Sequence, residues 1–330
     1  MDISLRPLAP GDIPAWAELL AAIEKVDRTG ELSTAADLAE EMDSSEVEVG
    51  KDFVAAFDAG AQMVGYYSIL TRGEGEGHYK VHVEGAVLPA RRGQGIGTLL
   101  VTGMVARAAQ ARDERRLDLP ARLVTEGMSS DLAQADLLAG VGMQGERWTF
   151  VMRAPLDEIQ PARRLPSGYR LRVYDGSMAD ALRQAHNAAF LDHPDFTPFS
   201  QDRWRQSVTE SRSFRPLLSF VVRAQESDEI VAYVHTAEFE GDLIATGRRV
   251  AYVGNVGTLR GHRGKGLATA VLGHALQAYR EAGYDEASLA VDSANPTGAL
   301  GVYQGLGFAV ESRWTNYVMT VGPGVARARS

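Results

Sequence analysis

The chain has 330 residues, 45% of them apolar and 23% charged, which excludes disordered and fibrous classes, and at about 150 residues per domain the length suggests two domains. Lys and Arg number 34 against 43 Asp and Glu, a formal charge of −9, so no global attraction to nucleic acid or to an anionic membrane is expected. Zero cysteines exclude disulfides, thiolate metal sites and cysteine nucleophiles; with no apolar run near the roughly 18 residues of a membrane span and no signal peptide at Met1-Asp2-Ile3-Ser4, a cytoplasmic protein is expected.

From the N-terminus, an extended start at Leu5-Arg6 leads into a helical stripe of Asp12, Ile13, Trp16, Leu19, Leu20 and Ile23. Strands follow near 52–58, 62–71 and 79–88, then Arg92-Gly93-Gln94-Gly95-Ile96-Gly97, a helix at 95–110, and elements near 121–126, 131–139 and 145–152. Residues Pro155 to Gly168 carry Pro155, Pro161 and Pro166 among charges, the composition of a linker. The same order then recurs. A strand at 169–174 and a helix near 179–190 precede strands at 218–224, 229–239 and 249–258, joined by short turns and therefore an antiparallel meander. Next come Arg263-Gly264-Lys265-Gly266-Leu267-Ala268, an amphipathic helix on Leu267, Val271, Leu272, Ala275, Leu276 and Tyr279 that Gly283 ends, a strand at 286–291, a helix at 296–304 and a strand pair at 308–321. The starts are offset by 166 residues and the glycine loops by 171, and Gly145 to Met152 matches Glu311 to Met319. So long a period marks a duplicated domain, since solenoid units run about 20–50 residues. The expected division is a domain over 1–154, a linker over 155–167 and a domain over 168–330.

Each glycine loop joins an apolar strand to a helix and leaves backbone amides open, which suits a pyrophosphate; Gly264 and Gly266 allow close approach, and Arg263 and Lys265 add positive charge. The spacing is not that of a Walker loop, and an antiparallel meander ahead of the loop argues against a dinucleotide fold. Arg263 to Ala268 resembles the acyl-CoA signature Arg/Gln-x-x-Gly-x-Gly/Ala of the GCN5-related N-acetyltransferases (GNAT), as does Arg92 to Gly97, and Asn295 with Tyr303 and Gly307-Phe308 is similar to that family's Asn-x-x-Ala-x-x-x-Tyr-x-x-x-Gly-Phe segment.

The resemblance covers nearly the whole chain and implies an α/β (α+β mixed) fold of two tandem GNAT-like domains, each a mostly antiparallel sheet flanked by helices. It implies acetyl-CoA (CoA), with strand 249–258 splayed from strand 286–291 to admit the pantetheine arm. The binding residues it implies are Val256, Gly257, Thr258, Arg263, Gly264, Lys265, Gly266, Leu267, Ala268, Thr269 and Asn295, and in the first half Val87, Arg92, Gly93, Gln94, Gly95, Ile96 and Gly97. Asn295 equally suits a helix start before Pro296.

The halves differ where the chemistry would lie. Leu138 stands opposite Tyr303, Ser130 opposite Asn295 and Gly142-Met143 opposite Gly307-Phe308. In the family that tyrosine is the usual general acid for the departing thiolate, and a phenol of pKa about 10 is protonated where a thiol of about 8.5 leaves. The second half is thus the expected catalytic domain and the first a degenerate one. An acceptor alkylamine needs about 4–5 kcal/mol to lose its proton at pH 7, so a base is expected. Glu238 ranks first among His235, Glu238, Glu240 and Asn255, and Glu84 in the first half, opposite Asn255, reads as structural or vestigial. The segment His186-Asn187 to Trp204, with Phe190, His193, Asp195, Phe196 and Phe199, occupies the place of the family's acceptor pocket. No metal spacing and no Gly-x-Ser-x-Gly elbow appear. The expected activity is acetyl transfer from acetyl-CoA to the amine of a small-molecule acceptor by direct attack, in a monomer or homodimer without nucleic-acid or membrane partners. The alternative is a non-catalytic acyl-CoA-binding protein.

Overall fold

The computed structural model describes residues 2–44, 47–75, 77–115, 118–193, 196–294 and 298–322. Its elements in chain order are β1 (Ile3–Pro7), α1 (Ile13–Asp27), α2 (Ala35–Met42), β2 (Phe53–Asp58), β3 (Met63–Gly75), β4 (His78–Val87), α3 (Ile96–Glu114), β5 (Ala121–Met128), α4 (Leu132–Gly140) and β6 (Gln144–Pro155). They continue with β7 (Tyr169–Val173), α5 (Ala179–Phe190), α6 (Gln201–Trp204), β8 (Phe220–Ala224), β9 (Ile230–Ala237), α7 (Glu240–Thr246), β10 (Val250–Thr258), α8 (Leu267–Glu281), β11 (Glu286–Asp292), α9 (Ala299–Gln304) and β12 (Ala309–Val321). Among the described residues no helix is long and apolar enough to cross a membrane.

The chain forms two compact units, Met1–Arg147 with Trp314–Ser330, and Trp148–Arg313. In the first, the strand order is β1-β2-β3-β4-β5-β12, antiparallel throughout except for the parallel pair β4 and β5. A parallel pair needs a crossover, and α3 supplies it, packing its apolar side on one face of the sheet with Ile69, Val81, Val83, Leu100, Met104 and Leu123 buried together. The other face carries α1 and α2 around Trp16, Leu19, Leu38 and Phe53. The second unit repeats this plan in the order β6-β11-β10-β9-β8-β7, with β10 and β11 parallel across α8 and α5 and α6 on the opposite face around Trp204 and Tyr233. A mixed, mostly antiparallel sheet flanked by helices is thus present twice.

The last strands do not follow the order of the halves. Thr149–Pro155 of β6 pair with β11 in the second unit, and Trp314–Val321 of β12 pair with β5 in the first. The expected strand pair at 308–321 is a single strand, because those residues contain neither glycine nor proline to turn the chain. Where a turn is expected after residue 240, α7 forms and stops at Gly247 with φ +71°. Helix α2 was not anticipated; Thr34 caps it, accepting from the Asp37 amide while Asp37 returns a carboxylate to the Thr34 amide.

Candidate active site

In the second unit β10 and β11 pair only at Val250, Ala251 and Tyr252 with Glu286, Ala287 and Ser288. Beyond that point they part, and the opening between them is a cleft of about 390 Å³ lined by Val253–Thr258, Ala290–Asp292 and Tyr303. A bulge at Gly254 contributes to the parting: the β9–β10 register shifts between Val253 and Asn255, and a bulged strand bends and leaves its extra residue outside the ladder. The cleft wall is thin there. A Cβ on Gly254 would lie 2.6 Å from His235 Nδ1, and one on Gly257 2.2 Å from the Tyr233 ring, so only glycine fits at either position.

The cleft runs to the glycine loop. Gly264 (φ +74°) and Gly266 (φ +78°) take left-handed backbone that a side chain disfavours, and Gly266 stands at the start of α8. The first amides of α8 have no partner within the helix, and its dipole adds positive charge at the same end. Arg263, Gly264, Gly266, Leu267, Ala268 and Thr269 line the cleft, together with Val256, Gly257 and Thr258. Thr258 Oγ1 is buried without a hydrogen-bond partner, an orphaned hydroxyl on a residue of the cleft wall.

The two loop cations are engaged elsewhere. Arg263 donates to Asp192 at 2.9 Å, to the Ala189 carbonyl at 2.8 Å and to the Thr258 carbonyl at 3.2 Å, which ties the loop to the end of α5. Asp192 also binds Arg260, and hydrogen bonds from Arg263 and Arg260 hold its carboxyl below the ordinary range. Lys265 donates to Tyr169 Oη at 3.2 Å.

Tyr303 projects from α9 into the cleft and is 8% exposed. Burial pushes its phenol up to about 12, so it carries its proton throughout the neutral range. Asn295 and Asp195 lie outside the described residues.

Glu238 is not placed as a base. It follows the last residue of β9, does not line the cleft, and accepts from Arg215 at 2.7 Å, Arg249 at 2.7 Å and Tyr284 at 2.7 Å. Burial alone would raise its carboxyl, but those hydrogen bonds outweigh burial and bring it down to about 2. It is the centre of an ion-pair cluster. The aromatic segment is largely core: His186 sits among Phe190, Phe196, Phe199 and Trp204, with Nδ1 on Tyr233 Oη at 2.5 Å. Phe190 and His193 do reach the cleft.

The first unit keeps the loop. Gly93 (φ +72°) and Gly95 (φ +79°) repeat the backbone of Gly264 and Gly266, and Arg92 binds Asp27 at 2.7 and 2.6 Å and the Val87 carbonyl at 3.3 Å. The space beyond the loop differs. Leu137 lies against Gly97, 3.0 Å from where a Gly97 Cβ would be, and the Gln134 amide covers Gly127. The second unit has Ala299 and Val302 on the corresponding helix. Leu138 is buried where the second unit has Tyr303.

The carboxylate partners were missed by reading the sequence, although a signal existed: Asp27 ends the first helix of the first half and Asp192 stands just past that of the second, at nearly the repeat offset. Asp292, also on the cleft wall, accepts the Ala294 amide at 2.8 Å.

The model of the Acetyltransferase (GNAT) family matches residues 17–125 and 179–308. A mycothiol acetyltransferase of Thermobispora bispora is 30% identical over 276 residues, covering 82% of this chain and 83% of that protein. One from Nocardia farcinica is 31% identical over 302 residues, covering 89% and 90%. Among solved structures, a GCN5-related N-acetyltransferase from Sphaerobacter thermophilus superposes with a TM-score of 0.75 at 25% identity, covering 99% of this chain and 98% of that one. A tandem GNAT protein from the clavulanic acid biosynthesis pathway shares the fold with a TM-score of 0.71 at 20% identity, covering 98% and 100%.

Proposed function

The chain belongs to the Acetyltransferase (GNAT) family and is an acetyl-CoA-dependent N-acetyltransferase acting on a small-molecule acceptor, and from that premise we propose that acetyl transfer takes place in the second unit and that Tyr303 is its general acid. The observation that carries this reading is the inequality of the two clefts. Tyr303 lines an open one, whereas the first unit has Leu138 buried in its core at the matching position, with Leu137 beside Gly97 and Gln134 beside Gly127.

The residues fit the donor. Acetyl-CoA supplies an acetyl group activated as a thioester. The open amides at the start of α8 and the left-handed glycines would hold its pyrophosphate. The buried, unpartnered Thr258 hydroxyl and the walls of β10 and β11 would hold the pantetheine arm. The bulge at Gly254 frees backbone from the ladder beside the cleft, where an amide would polarise the acetyl carbonyl. Tyr303, kept protonated by burial, gives its proton to the departing sulfur. The loop Arg92 to Gly97 would hold acyl-CoA more weakly and without turnover.

For the acceptor we propose a primary amine of the kind acetylated by the mycothiol acetyltransferases to which the chain is similar. Release of free thiol from acetyl-CoA with desacetylated mycothiol and a panel of primary amines tests the reading. Turnover that Tyr303→Phe lowers by about 10²–10³-fold is the expected result; tight CoA binding without turnover of any amine would leave a non-catalytic acyl-CoA-binding protein.

A further inference from the structure

With Glu238 committed to arginines, the acceptor's proton needs another destination. On β9, His235 stands opposite Asn255 at the Gly254 bulge. Its Nδ1 fills the space a Gly254 side chain would take, so the imidazole abuts the cleft where the wall is bare backbone. The ring is 7% exposed and stacks on Phe214 at 5.0 Å and 12°. Both ring nitrogens are buried without a hydrogen-bond partner. Leaving one such group unpaired costs about 1–3 kcal/mol, and a native fold that keeps two on one side chain points to a group awaiting a partner. Nearby His186 is different, because its Nδ1 is joined to Tyr233.

We infer that His235 takes the N–H proton of the attacking amine, through one water across Gly254. This rests on the reading of the second unit as the catalytic one. Burial lowers the imidazole to about 4, so it is neutral at every working pH and presents a lone pair. Among the described residues the groups packed around it add no carboxylate: His186 on α5, itself lowered to about 3 by burial, His235 and Arg203, Tyr233 on its own strand, Phe214, and Asn255 and Gly254 on β10. A neutral wall of this kind favours the free amine over the ammonium. As the nitrogen–carbon bond forms and the carbon–sulfur bond breaks, the nitrogen loses its proton to the imidazole and the sulfur takes that of Tyr303. Return of the proton from imidazolium to phenolate restores both residues, leaving one amide and one thiol.

The test uses the full chain with desacetylated mycothiol, or the best amine of the panel, as acceptor. His235→Asn and His235→Ala are expected to lower kcat/KM by a factor of about 10²–10⁴ and to make it rise with pH across the neutral range. CoA affinity by calorimetry should stay within about threefold, and added imidazole should partly restore His235→Ala. Independently of activity, the His235 nitrogens in isotope-labelled protein should report a neutral ring down to about pH 5. A His235→Asn rate within about threefold of wild type with an unchanged pH profile, or a ring titrating at its ordinary value, would overturn the inference. If His235→Ala unfolds, His235→Asn and the wild-type ring titration still decide. Loss on Tyr303→Phe alone would defeat only the role of His235; no turnover by the wild type with any amine would defeat the underlying assignment.

Discussion

Arg263 Nη1 donates to Asp192 Oδ2 at 2.9 Å, and together with the Arg263 bond to the Ala189 carbonyl this ion pair fixes the glycine loop to the end of α5. The fold treats that arginine as a clamp, with its charge largely answered by a carboxylate before any ligand arrives. Asp192→Ala should therefore loosen the loop and weaken CoA binding, by about 3–10-fold for the loss of a charge-assisted contact worth about 1 kcal/mol, with kcat little changed. Calorimetry with CoA measures it; tighter binding would mean that Asp192 restrains Arg263 from the phosphates.

Tyr303→Phe keeps the ring that packs against Phe308 and removes only the proton donor. The expected fall in kcat is about 10²–10³-fold, with CoA affinity unchanged within about threefold. Arg92→Ala, the equivalent test of the first unit, should leave turnover nearly intact. Equal losses from both would contradict a single catalytic cleft.

Calorimetric titration with CoA should reveal one tight site and a second, weaker one. Removing the side chains beside Gly97 and Gly127 in the first unit, in the double variant Gln134→Ala and Leu137→Ala, should strengthen the weaker site and leave the tight one untouched. Two equal sites in the wild type would show that Gln134 and Leu137 yield readily to the ligand.

Glu238→Gln should spare turnover and cost about 1–3 kcal/mol of stability at pH 7, because Arg215 and Arg249 lose their shared carboxylate. The sign of the pH dependence follows from the depressed carboxyl. Its folded value of about 2 lies below the unfolded one, so the stabilisation is present above the unfolded value and is lost as pH falls toward 2. Denaturant melts at pH 7 and pH 3 should show the gap between wild type and variant closing at the lower pH.

The parts of the fold legible in sequence were those encoded locally. Left-handed backbone at Gly93, Gly95, Gly264 and Gly266 needs a particular residue type at a particular place, and the apolar stripe of α8 needs a fixed period, so both can be read without a partner. The role of Glu238 could not. Its partners Arg215, Arg249 and Tyr284 lie 11 to 46 residues away, and nothing in strand alternation says which of several carboxylates meets arginine. The importance of His235 was half visible, since its strand and position were foreseen, but the bulge that brings it to the cleft shows only as an unremarked Gly254. The strands β6 and β12 were legible as strands, but their partners β11 and β5 lie far away in the chain and are not encoded locally.

That last pairing has a bearing on how the molecule is made. One side of β5 meets Trp314–Val321, which follow the whole of the second unit in the chain, while the first unit's other five strands are complete by residue 128. During synthesis the first unit must wait with an open strand edge until the second half has been translated. A fragment ending near residue 154 would keep that edge permanently and be prone to pair with other chains. The duplicated halves are thus obligate companions in assembly, however unequal they are in chemistry.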